Sequence, residues 1–147
     1  MGYAVTVRPA APALVAPLLW EVVKADPELP AGTTFALFRL HCTVGYRFLG
    51  VYAGAELIGA VGFHGKLLHL AIVPAWRGKW YSERLGRQIV AYGLQRVPAL
   101  LAIIRQEDRA TVRLARSLGF VRIAAGKWEQ WQLPAPIPAP SPGGATG

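Results

Sequence analysis

The sequence predicts one mixed α/β (α+β) domain, with a central sheet of six to seven strands flanked by about four helices. Three observations carry that prediction. Short apolar or alternating runs rich in β-branched and aromatic residues recur from Val5 to Leu133. Segments with apolar residues at helical spacing lie between them. At Leu67 to Gly86 an apolar run, a turn and a helical segment follow one another as strand, loop and helix N-terminus. A chain of 147 residues is the size of one domain and buries roughly two thirds of its unfolded surface in a single core.

Each element has its own signal. Val5 to Arg8 alternates like a half-buried strand. Ala11 to Lys24 carries Leu14, Leu18 and Val22 at helical spacing and is stopped by Asp26-Pro27. Thr33 to His41 reads as a short helix. Tyr46 to Ala53 and Glu56 to His64 are β-rich runs joined by Gly54-Ala55, a hairpin signal. Glycines within these runs mark bulges or close approach of another backbone. Leu67 to Val73 is the central strand, ended by Pro74. Lys79 to Arg96 reads as the long helix, with Tyr81, Leu85, Ile89 and Tyr92 on one face and Glu83 placed to pair with Arg87. Ala99 to Ile104 is a continuous apolar strand, parallel to the central one because a helix connects them. Asp108 is an N-cap for Arg109 to Leu118, whose buried stripe reads Thr111, Leu114, Ala115 and Leu118, with Gly119 as the stop. Val121 to Ala124 and Trp128 to Leu133 close the domain. From residue 134 to 147, proline alternates with small residues, the composition of an extended, disordered tail.

Composition narrows the function. The net charge of +8 favours polyanions, among them nucleotide phosphates, nucleic acid or an acidic protein face. No nucleic-acid motif accompanies the charge, so nucleic acid is the weaker reading. No apolar run is long enough to span a bilayer and no secretory signal opens the chain, which leads to the expectation of a cytoplasmic protein. The single cysteine, Cys42, reads as a buried small hydrophobe, and no His or Cys spacing suggests a metal site.

The junction at Leu67 to Gly86 is built to hold an anion. The first N–H groups of a helix lack intrahelical partners and point outward, with the helix dipole behind them. Arg77, Lys79, Arg84 and Arg87 lie close by, so a diphosphate is the natural occupant.

With V-P-x-x-R-G-x after the strand and D-R-A-T-V-R-L-A-R-S-L-G-F later, the chain resembles the GNAT superfamily of N-acetyltransferases over about Val5 to Leu133. The resemblance implies the GNAT fold, acetyl-CoA as cosubstrate and an amine acceptor. It places Arg77, Gly78, Lys79, Trp80, Tyr81 and Ser82 around the diphosphate and Ile72 and Val73 beside the pantetheine arm. Trp80 stands where the family's loop has glycine. Asp108 falls at the asparagine of the second motif and joins the cofactor set, beside its reading as a cap. Ala115 falls where many members carry a tyrosine acid. Tyr81, Tyr92 or Tyr46 is then the substitute, and Tyr81 adjoins the loop. His69, on the central strand, is the candidate base, with a packed structural histidine as the alternative; His64 and Glu56 are weaker candidates. Glu21, Asp26 and Glu28 are surface carboxylates that could face a cationic acceptor.

R-G-x-W is also similar to compact proteins of this kind from tailed bacteriophages. The final L-A-R-S-L-G-F and W-E-Q-W-Q-L loosely resemble the internal virion protein of T7-like phages. That likeness implies the alternative: a catalytically degenerate scaffold whose partner is a phage structural or host protein.

Overall fold

The structure is a computed structural model that describes residues 4–24 and 29–134. Asp26, Pro27, Glu28 and the chain beyond Pro134 lie outside the described residues. In chain order the elements are β1 (Val5–Ala10), α1 (Pro12–Val23), α2 (Phe35–Thr43), β2 (Tyr46–Ala53), β3 (Glu56–His64), β4 (Leu67–Ile72), a 3₁₀ turn (Pro74–Trp76), α3 (Glu83–Leu94), β5 (Leu100–Arg105), α4 (Arg109–Ser117), β6 (Val121–Ala124) and β7 (Trp128–Leu133). One sheet holds all seven strands in the order β1-β2-β3-β4-β5-β7-β6, and only β4 and β5 pair in parallel.

Local chemistry sets the boundaries. The β2–β3 hairpin turns at Gly54, whose φ of +59° suits glycine. Gly59 lets β3 lie close on β4, since a Cβ there would come within 2.7 Å of the Ala71 carbonyl oxygen. The second helix starts at Phe35 because the Thr34 hydroxyl accepts from the Leu37 amide, and it runs to Thr43, past the expected end. The long helix starts at Glu83 and not at Lys79. Ser82 caps it by accepting from the Leu85 amide at 3.2 Å, which leaves the four residues before Glu83 as loop. Helix α4 ends as foreseen at Gly119 (φ +94°): the Phe120 amide reaches the Ala115 carbonyl and the Gly119 amide the Arg116 carbonyl, both orphan acceptors satisfied. Its most buried residues are Val112 and Ala115, with Leu114 and Leu118 half-buried, so the expected stripe is rotated toward Val112.

The sheet separates two apolar layers. On one face α3 and α4 cover Leu49, Val51, Val61, Phe63 and Ile72; on the other, α1 and α2 cover Phe48 and Ala60, with Cys42 buried among them. Glu129 is the one carboxylate buried among the described residues. It accepts from Arg122 at 3.1 Å and from the Trp131 indole at 3.3 Å, with Arg109 at 3.7 Å, so its charge is paired where it is desolvated. Among the described residues no helix is long and apolar enough to cross a membrane.

Candidate functional site: a cleft where two parallel strands part

Strands β4 and β5 pair only at Leu67 with Leu101 and Leu68 with Ala102, helped by the Leu101 amide donating to the Lys66 carbonyl at 2.8 Å. Beyond Leu68 they part. The Val73 amide donates to the Ile58 carbonyl at 2.9 Å, so by alternation Val73, Ala71 and His69 turn their main-chain groups toward β3. Leu70 and Ile72 therefore face the gap. The Ile72 carbonyl has one partner there, the Arg77 Nε–H at 3.2 Å.

The gap opens into a cleft of about 990 Å³ between the end of β4, the loop before α3 and the first turns of α4. Arg77, Arg105 and Arg113 line it, against one carboxylate, Asp108. Arg105 lies over the Trp128 ring at 4.7 Å. Asp108 is engaged locally: it accepts from the Thr111 amide at 3.1 Å and the Thr111 hydroxyl at 2.7 Å, which makes it a helix cap at the cleft wall. Excess guanidinium in a concave site attracts a polyanion.

The loop divides into two kinds of amide. Those of Trp76, Arg77 and Lys79 donate to Val73, Pro74 and Trp76 carbonyls at 3.0, 3.2 and 3.1 Å, so they close the turn. Arg77 and Lys79 thus have only side chains left for a ligand. The amides of Gly78, Trp80, Tyr81 and Ser82 have no such bond among the described residues, and Glu83 begins the helix with its own amide unpartnered. The Glu83 carboxylate, which would oppose an anion, is drawn aside by Arg87 at 2.9 Å.

Trp80 is sunk into the core at 7% exposure, its ring 5.6 Å from that of Tyr81. The indole forms part of the cleft floor and does not stand up from the loop. Tyr81 lines the same cleft. Its hydroxyl is 3.1 Å from Ser117 Oγ, and Ser117 Oγ–H donates to the Leu114 carbonyl at 2.7 Å, so the phenol is the donor.

His69 lies on the opposite face of the sheet, at the residue following the last β4–β5 pair. All three of the chain's histidines gather around Tyr46: His64 stacks on it at 4.7 Å, His41 meets it edge-on at 5.5 Å and His69 lies at 6.0 Å. Burial pushes the His69 pKa below its ordinary value, and the charges of His64 and His41 push the same way. Burial, then Cys42, raises the Tyr46 phenol. The structure does not bring His69 and Tyr81 together; they flank the parting strands from two sides. Tyr92 packs on Phe63 at 5.4 Å, and Glu21 pairs with Lys24 at 2.6 Å. Leu70, Arg105 and Arg113 are site residues that sequence reasoning missed. Alternation along β4 marks Leu70, while no local signal marks the arginines.

No family model matches the chain, and no curated protein matches it. Solved structures do. A spermidine N-acetyltransferase from Vibrio cholerae, solved with CoA and spermine, superposes with a TM-score of 0.70 at 14% identity, over 88% of this chain and 95% of that one. An acetyltransferase of the GNAT family from Streptococcus pneumoniae gives 0.63 at 14% identity, over 87% and 98%. The chain has the fold of the GNAT acetyltransferases. At this identity the likeness is one of fold.

Proposed function

We propose that the chain is an acetyl-CoA-dependent N-acetyltransferase acting on an amine of a small molecule or a protein. One observation carries the reading: β4 and β5 part after a two-residue pairing and open a cleft rimmed by three arginines and unengaged loop amides. The residues fit the cosubstrate. Gly78, Trp80, Tyr81 and Ser82 amides with Arg77 and Arg113 would hold the diphosphate, and the main chain of Leu70 and Ile72 the amide-bearing arm.

Acetyl-CoA supplies a thioester carbonyl to which an amine can add. In the net step a C–N bond forms, the C–S bond breaks, the amine loses a proton and the thiolate gains one. His69, its pKa lowered by partial desolvation and then by His64 and His41, is suited to take the first proton, and Tyr81, which lines the cleft, to supply the second. Their positions on two sides of the gap fit an acceptor and a donor arriving from opposite faces.

Calorimetric titration of the full chain with acetyl-CoA tests this. A micromolar dissociation constant is expected, weakened roughly 10- to 100-fold by Arg77→Ala, the worth of a charge-assisted hydrogen bond. No heat and no thermal shift at millimolar ligand would overturn it and leave the degenerate scaffold that the phage likeness implies.

A further inference from the structure

Beneath the cleft, on the α3/α4 face, lies a second space of about 80 Å³. Leu68 and Ala102, the last residues that pair before the strands part, line it together with Trp80, Ile89, Ala115 and Phe120. It shares Leu70, Trp80, Tyr81, Thr111 and Leu114 with the cleft, so the two adjoin. Its lining is almost wholly apolar: the Thr111 hydroxyl is bonded to Asp108 at 2.7 Å and the Tyr81 hydroxyl to Ser117 at 3.1 Å, which leaves the Trp80 indole as its remaining polar side chain. A space lined almost wholly by hydrocarbon favours an apolar occupant.

Position and size together suggest an occupant. A chain entering at the arginines and following the unpaired edge of β4 ends at the vertex, where this space begins. A cavity of about 150 Å³ takes the six carbons of benzene, so 80 Å³ takes about three. Ala115 and Ala102 make the room, since a larger side chain at either would fill it.

The geometry points to an acyl pocket: the preferred donor is a CoA thioester with a short straight alkyl chain, of about four carbons, its tail seated between Leu68, Ala102 and Ala115. This rests on the transferase reading and changes its donor. The reaction balances as for acetyl transfer, the larger acyl group passing to nitrogen as the thiol departs.

Titration calorimetry of the full chain with CoA, acetyl-CoA, butyryl-CoA and octanoyl-CoA reads binding without an acceptor. Each methylene buried is worth about fourfold, so butyryl-CoA should bind roughly 15-fold tighter than acetyl-CoA, with no further gain for octanoyl-CoA. Ala115→Leu, or Ala102→Val from the β5 side, should erase the difference between the two esters. Butyryl-CoA binding no tighter than acetyl-CoA overturns the acyl pocket and leaves acetyl transfer intact. A butyryl advantage that survives in a folded Ala115→Leu protein overturns it too. Should no CoA species bind, the transferase reading falls with it.

Discussion

The two edges of β4 have opposite fates. Toward β3 it is paired along its whole length, from Gly59 with Ile72 to His64 with Leu67; toward β5 it is paired at two residues and then alone. The closed joint has its strands paired throughout and most of the β3 side chains buried, so it supplies stability. The open joint leaves the main chain of Leu70 and Ile72 facing a cleft, and a strand edge with unmet donors and acceptors is a template for another chain or ligand. One of those groups, the Ile72 carbonyl, is held by Arg77 from the loop itself. The same strand therefore anchors the fold on one side and presents a site on the other.

A matched pair of large-to-small substitutions would break this contrast if it is wrong. Phe63→Ala empties the closed joint at a side chain 1% exposed, and Trp80→Gly empties the floor of the open one. Both should cost about 3–5 kcal/mol in urea denaturation. They should differ in ligand response: the folded fraction of Phe63→Ala keeps its preference among acyl-CoA esters, whereas Trp80→Gly shifts it toward longer chains. If the tryptophan change costs under about 1 kcal/mol, the indole is not part of the core.

A smaller effect is expected at Arg77. Lysine keeps the charge but has no Nε–H on a planar fork, so it cannot hold the Ile72 carbonyl and also present further donors to the cleft. Arg77→Lys should therefore weaken acetyl-CoA by about fivefold, the worth of one modest hydrogen bond, with the melting temperature little changed. Full affinity in the lysine variant would mean that charge alone matters and the contact to β4 is incidental.

How much of this could be read in the sequence depends on the range of the interaction. The hairpin at Gly54, the cap at Asp108, the stop at Gly119 and the Glu83–Arg87 pair are local, and each appears where its residues predict it. The start of α3 differs from the expected one because Lys79 to Ser82 fits the helical period, yet the Ser82 hydroxyl competes for the Leu85 amide and begins the helix later. The parallel pairing of β4 and β5 was legible from the helix between them; its shortness was not, because register is set by packing across the sheet. Nor does any spacing say that Trp80 turns inward, that Arg105 and Arg113 reach the same cleft as Arg77, or that His41, His64 and His69 meet around Tyr46.

The smallest predicted effect is a titration shift within that histidine group. His69 has its pKa lowered by burial first and then by His64 and His41, so the folded protein holds it neutral at a pH where the unfolded chain would begin to protonate it. Stability contributed in this way is present above the ordinary histidine value near 6.5 and is lost as pH falls from there toward the folded value. The acetylation rate, if His69 is the base, should level off below pH 6.5 on the rising limb, and His69→Gln should remove that limb with a loss of about 10²-fold or more. Replacing a neighbour moves the titration without touching the base. His64→Gln removes one of the two repelling neighbours but leaves the desolvation, so the His69 imidazole, followed by its NMR chemical shift, should titrate at a higher pH than in the parent protein. A shift in the opposite direction would mean that His64 donates a hydrogen bond or screens solvent where repulsion is inferred, and the open side of β4 would then owe its neutral base to burial alone.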